Sequence, residues 1–133
     1  MDREILFRAK RVDDGEWREG LPTYDVNGNL AEFDVYNGFS DCDVIEIDSE
    51  TVCQYTGLCD KNGVKIFEGD ILQGKSKRAY VVRYSDDIAG FVARGTGVSL
   101  TPCMNCGTMR CYAVVGNVFD DPGLMEVDGD EKV

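Results

Sequence analysis

The feature that most constrains this chain is a period-two alternation of apolar and polar residues, cut at short intervals by Asp-Gly and Asn-Gly pairs. Successive side chains of a strand point to opposite faces, so such alternation buries one face of a sheet. Glycine accepts the positive φ that tight hairpin turns demand. Ile5 to Val12 reads as a first strand with Ile5, Phe7 and Ala9 on one face. Asp13-Asp14-Gly15 is a hairpin turn, and Glu16 to Gly20 a second strand whose Trp17 is expected to pack on that hairpin. Pro22 is expected to interrupt regular pairing, because proline has no N–H for a ladder. Asn27-Gly28 turns the chain into Leu30 to Tyr36, with Phe33 and Val35 sharing a face, and Asn37-Gly38 marks a further turn.

The pattern persists to the end. Val44 to Ile47 reads as a strand, Thr51 to Leu58 leads into Asp60 to Gly63, and Asn62-Gly63 is the favoured two-residue hairpin pair. Gly69-Asp70 opens another strand, Tyr80 to Tyr84 follows, and Ser85-Asp86-Asp87 turns into Ile88 to Arg94. Gly95 to Gly107 reads as irregular, Cys111 to Phe119 as the last strand, and Asp128 to Val133 as a frayed polar tail. No long segment has a 3.6-residue period. The expected class is mainly antiparallel β with short helical turns at most.

Composition then excludes chemistry. The 133 residues contain no histidine, which removes Ser-His-Asp and Cys-His catalysis, histidine-ligated metals and imidazole acid–base work. No apolar run approaches the ~18 residues of a spanning helix. The charged start, Met1-Asp2-Arg3-Glu4, is unlike a signal peptide, so the expected location is the cytoplasm of a bacterial host, with the six cysteines as reduced thiols. The formal charge is −11, unevenly spread: residues 1–50 carry −9, residues 51–110 carry +3 and residues 111–133 carry −5. The acidic total disfavours nucleic acid as a partner, although the basic middle leaves room for a local anion contact.

Several clusters deserve a chemical reading. The acids Asp41, Asp43, Glu46 and Asp48 lack the central glycine and twelfth-position glutamate of an EF-hand, and read as a solvated strand face. Cys103-Met104-Asn105-Cys106 places two thiols at zinc-knuckle spacing. Tetrahedral zinc needs two more ligands, which Cys111 and either Cys53 or Cys59 would have to supply. A second matched pair is absent, so unligated thiols, and less than stoichiometric zinc in purified protein, are expected. Lys75-Ser76-Lys77-Arg78, near Tyr80 and Tyr84, is the strongest basic-aromatic cluster. Gly69 to Ser76 matches the letters of a phosphate-binding GxxxxGKS loop, but a strand-like segment follows where a helix is required, so the match is expected to be accidental. The acid pairs Asp86-Asp87 and Asp120-Asp121 read as turn residues. No catalytic and no cofactor-binding residue is expected.

Three blocks carry a resemblance. They are Arg3 to Lys10 with Gly15-Glu16-Trp17; Gln54 to Leu58 with Asp60 to Gly63 and Ile66 to Ile71; and Val115 to Phe119 with Asp121-Pro122 and Leu124. In this order the chain resembles YopX-like proteins of phages and prophages, with departures at Cys53 and Cys59. The resemblance implies a β-rich N-terminal part (1–58), an SH3-like barrel (59–124) and a tail (125–133), together forming one compact unit. It carries no activity and no catalytic residue. The motif residues have a structural reading of their own, turn glycines at Gly57, Gly63 and Gly69 and core positions at Tyr55, Ile66, Phe67 and Ile71. The leading functional expectation is a non-enzymatic phage or prophage accessory protein that binds a host protein, a phage protein or a second copy of itself. The alternatives are an acidic nucleic-acid mimic built on the acidic ends, and a nucleic-acid-binding SH3-like module.

Overall fold

The computed structural model describes residues 3–36, 42–95 and 101–125. Contacts divide the chain into two units, residues 1–55 and 56–133.

The first unit is an antiparallel sheet of β1 (Phe7–Lys10), β2 (Trp17–Tyr24), β3 (Leu30–Tyr36), β4 (Cys42–Glu46) and the start of β5 (Cys53–Cys59). Their spatial order is β4-β3-β2-β1-β5. The first hairpin pairs Phe7 with Gly20 and Lys10 with Trp17. Its turn is locked by Asp14, whose Oδ1 accepts the Glu16 N–H at 2.9 Å, while Gly15 takes φ +70°. Trp17 does pack on this hairpin. The Arg8 guanidinium lies 4.7 Å and the Lys10 ammonium 5.5 Å from its ring, both cation–π distances. The second hairpin turns through Asp25, whose carboxylate accepts the N–H groups of Asn27 and Asn29.

Pro22 does not interrupt the sheet as its residue type suggests. It pairs with Phe33 inside β2. The reason is register: β1 covers only Trp17 to Gly20, so Pro22 lies on a stretch of β2 with one ladder rather than two, where a missing N–H is tolerated. The apolar faces expected from alternation do meet. Ala9, Phe33, Ile45 and Ile47 form a buried cluster, with Phe7, Leu30, Val35 and Val52 packed against it. Ile5 instead stays exposed beyond the end of β1. A 3₁₀ turn at Ser49–Thr51 is tied to β1 by the Lys10 N–H, which donates to the Thr51 hydroxyl at 2.8 Å. The expected turn at Asn37-Gly38, the acids Asp41 and Asp43, and the polar tail at 128–133 lie outside the residues whose side chains are described.

The second unit contains the rest of β5, β6 (Lys65–Phe67), β7 (Asp70–Gln73), β8 (Ala79–Ser85), β9 (Gly90–Gly95), a four-residue helix α1 (Cys106–Met109) and β10 (Ala113–Asn117). β6 pairs with β5, and a four-stranded sheet has the order β10-β7-β8-β9. All pairings are antiparallel, and β10 carries an irregularity at Val115. The core holds Ile66, Leu72, Tyr80, Val82, Ala93 and Met109. Mainly antiparallel β is therefore the class of the chain. Among the described residues β9 and β10 each pair on one side only, so this sheet is open and the closed SH3-like barrel is not seen. The helix also departs from the irregular reading of Gly95 to Gly107: Asn105 caps it, accepting the Thr108 N–H at 2.8 Å.

The central motif proves structural. Gly57, Gly63 and Gly69 take φ of +89°, +79° and +88°, and Tyr55, Ile66, Phe67 and Ile71 are buried. The closing motif is a turn in which the Asn117 side chain accepts the Phe119 and Asp120 N–H groups. Asp70 is 1 % exposed and its Oδ2 accepts the Phe67 N–H at 2.8 Å, which folds the β6–β7 corner onto the start of β7.

Two outcomes follow. Phe33→Ala removes a fully buried ring and is expected to cost about 4 kcal/mol, read as a lowered urea midpoint at unchanged slope. Asp14 is held below its ordinary value of 3.8 chiefly by the Glu16 N–H, with desolvation opposing and Arg18 and then Arg11 adding to the depression. A depressed carboxylate contributes stability above its unfolded pKa and loses it as pH falls through the folded value. Its carboxyl NMR titration is accordingly expected to have a midpoint below 3.8, moved part of the way back by Arg18→Ala.

Candidate functional site

The second unit gathers positive charge from three separate segments. The β7–β8 hairpin turn, Gly74 to Lys77, supplies Lys75 and Lys77; the β5–β6 turn supplies Lys61; the residue after α1 is Arg110. Together with Ser76, Cys111 and Tyr112 these residues line a cleft of about 760 Å³. No carboxylate belongs to the described lining.

Each cation is placed by a local cause. Asp60 is 5 % exposed, and its Oδ1 accepts the N–H groups of Asn62 at 2.8 Å and Val64 at 2.9 Å. This closes the turn that carries Lys61. The other oxygen, Oδ2, accepts the Val114 N–H at 2.8 Å, so one carboxylate ties that turn to β10. The Lys61 N–H donates to the Tyr112 carbonyl at 2.9 Å and completes the joint. Across the cleft, the Lys77 N–H donates to Gly74 O at 3.2 Å and the Gln73 amide donates to Lys77 O at 2.8 Å. Lys77 takes φ +67°, a left-handed conformation that non-glycine residues rarely adopt. Gly74 is favoured for a different reason. A Cβ there would lie 3.0 Å from the Tyr112 ring, so a larger residue would press on this wall and require the ring to give by a few tenths of an ångström. Arg110 follows α1, whose cap at Asn105 fixes where the helix begins and hence where it ends.

The electrostatics favour an anion. Four cationic residues line one concavity without a described acid among them. The Tyr112 hydroxyl is pushed above its usual value by burial, and further by Tyr80 and Cys111, so at neutral pH it is an uncharged phenol and sets no negative charge against a ligand. The contrast lies in the first unit, where Arg18 pairs with Asp14 at 3.1 Å and Glu16 at 3.3 Å, and Arg11 pairs with Asp13 at 3.3 Å.

The sequence cluster at Lys75 to Arg78 is thus half of the site. Lys75, Ser76 and Lys77 line it, whereas Arg78 is exposed outside the described lining. Neither aromatic residue singled out with them takes part. Tyr80 is buried in the core, and Tyr84 pairs edge-on with Phe91 at 5.6 Å. Tyr112 supplies the aromatic wall and stands T-shaped to Tyr80 at 6.0 Å. Lys61 is visible in the sequence only as part of the Asp60 to Gly63 turn and Arg110 not at all, since the pairing of distant strands brings them to the hairpin.

The remaining candidates are placed as follows. The GxxxxGKS letters run from the β6–β7 corner along β7 into a hairpin turn that leads to β8, so they form no helix-opening phosphate loop. Cys103, Cys106 and Cys111 are exposed and not disulfide-bonded. Cys53 is buried in the first unit, where its thiol donates to Thr51 O at 3.3 Å. Among the described residues no three cysteine, aspartate or glutamate side chains gather as a metal site would require. The turn acids Asp120 and Asp121 bond within the closing motif, with Asp120 accepting from the Asn117 amide and Asp121 from its N–H.

Asp60→Ala removes the acceptor of three part-buried N–H bonds and is expected to cost about 2 kcal/mol in urea unfolding. Asp60→Asn keeps a carbonyl for the Asn62 and Val64 amides, loses the bond to Val114, and should cost about half as much. Lys77→Gly relieves the left-handed backbone and is expected to hold or raise the melting temperature, by up to about 1 kcal/mol of stability.

No curated protein matches the chain. Among solved structures it is similar to the crystal structure of protein EF1440 from Enterococcus faecalis, at 26% identity and a TM-score of 0.65, over 93% of this chain and 99% of that one. The YopX protein family matches residues 6–126, nearly the whole length, and the chain belongs to that family.

Proposed function

We propose that this protein is a non-enzymatic binding factor of a phage or prophage, at work in the host cytoplasm, and that the basic cleft of its second unit is the surface by which it engages an anionic partner. The observation that carries the reading is the convergence of Lys61, Lys75, Lys77 and Arg110 on one concavity, in a chain whose total charge is −11. Exposed charges of opposite sign normally intersperse on a surface. Here three chain segments bring like charges together, and the hairpin adopts a left-handed lysine to do so. Mutual repulsion of the cations is relieved when an anion enters.

Binding without turnover is favoured by the lining itself. It offers no histidine and no described carboxylate to act as a general base. Among the described residues no helix is long and apolar enough to cross a membrane. Of the readings drawn from the sequence, the structure therefore favours a binding module over an acidic mimic, because the distinctive geometry belongs to the basic residues.

Chromatography on immobilised heparin tests the site. The full chain is expected to be retained at about 50 mM salt and released at a few tenths molar, as screening of a few ion pairs requires. The double variant Lys75→Glu with Lys77→Glu is expected to flow through. Equal retention of the variant, or passage of the wild type, would remove the cleft as the working surface. Release of phosphate from ATP above the blank would remove the non-enzymatic part.

A further inference from the structure

We infer that the cleft selects a compact polyphosphate, a chain of two or more linked phosphoryl groups that ends inside it, over an extended polynucleotide. The inference rests on the reading of the cleft as an anion site and adds the chemistry of its occupant.

Charge density makes the first distinction. Four cations face about 760 Å³, a volume typical of small-molecule sites. A polynucleotide strand brings one charge per nucleotide, so the segment that fits brings fewer charges than there are cations to meet it. A linked polyphosphate concentrates several charges within the reach of all four. Its terminal oxygens also suit the donors present, a guanidinium fork at Arg110, ammonium groups at Lys61, Lys75 and Lys77, and the hydroxyl of Ser76.

Screening makes the second distinction. At physiological salt a charge is felt over about 8 Å. A ligand that ends within the cleft keeps its whole charge within that range of the cations, whereas a strand that continues past the rim carries most of its charge beyond it. The aromatic wall makes the third. Single-strand binders present ring faces on which bases stack. Tyr112, the one aromatic residue of the described lining, has its ring held against Gly74 and edge-to-face with Tyr80. It is a single ring, where single-strand binders present several in succession.

Calorimetric titration of the full chain, magnesium-free at about 50 mM salt, compares sodium tripolyphosphate, ATP, orthophosphate and a short oligothymidylate. Tripolyphosphate is expected to bind one to one, at least about tenfold more tightly than orthophosphate or the oligonucleotide. Arg110→Gln and Lys75→Gln should each weaken it about tenfold, and Arg94→Gln, on β9 away from the cleft, should leave it unchanged. Lys77→Gly guards against misfolding as an explanation, since it should lose affinity while its melting temperature holds. Equal binding of ATP and tripolyphosphate identifies the phosphate chain alone as the recognised group; tighter binding of ATP identifies a nucleotide as its source. Tighter binding of the oligonucleotide, or heparin retention without tripolyphosphate binding, overturns the compact-ligand inference and leaves the anion cleft standing. Failure of tripolyphosphate, oligonucleotide and heparin together overturns both.

Discussion

One buried carboxylate governs the second unit. Asp60 accepts backbone N–H groups from Asn62, Val64 and Val114, joining a local turn to a strand that lies 54 residues further on. A carboxylate removed from water is costly unless its lone pairs are filled, and three N–H donors fill them. The same bonds fix the turn that bears Lys61 and hold β10 where Tyr112 can wall the cleft. The interaction that closes the fold is therefore also the one that assembles the site. A residue of this kind has no need to touch a ligand to control its binding.

The two units treat positive charge in opposite ways. In the first, Arg8 and Lys10 cover the Trp17 ring, and Arg11 and Arg18 face the acids of the hairpin turn. Such exposed pairs add little stability, but they leave the hairpin locally balanced. In the second, four cationic residues line one concavity. The arrangement runs against the usual interspersing of surface charge, and local strain at Lys77 accompanies it. The glycines and buried residues of the central YopX block build corners and core, and the closing block builds a turn. The family match spans scaffold and cleft alike, and Lys61 lies within the central block, in the turn that Asp60 closes.

Legibility in the sequence followed the range of the interaction. The hairpin at Asp14-Gly15 and the turns at Asn27-Gly28 and Asn62-Gly63 are visible because a side-chain oxygen or a glycine two residues away decides them. Phe33 and Ile71 are visible as core because alternation alone puts them on a buried face. Pro22 misled because its tolerance depends on where β1 stops, a matter of register between strands. Tyr80 misled because its neighbours in sequence are basic while its neighbours in space are Leu72, Val82 and Met109. The helix at Cys106 was hidden because four residues leave no period to detect.

What the sequence determined by itself was the antiparallel β class, the position of most corners, the absence of imidazole chemistry and the existence of a basic tripeptide at Lys75 to Lys77. These follow from backbone preference, side-chain alternation and composition, which act over a few residues at a time. Only the tertiary structure decided that Lys61 and Arg110 join that tripeptide, that Tyr112 replaces Tyr80 as the aromatic neighbour, and that the four-stranded sheet remains open. The reason is that strand order and register bring together residues whose separation along the chain carries no local physical signal.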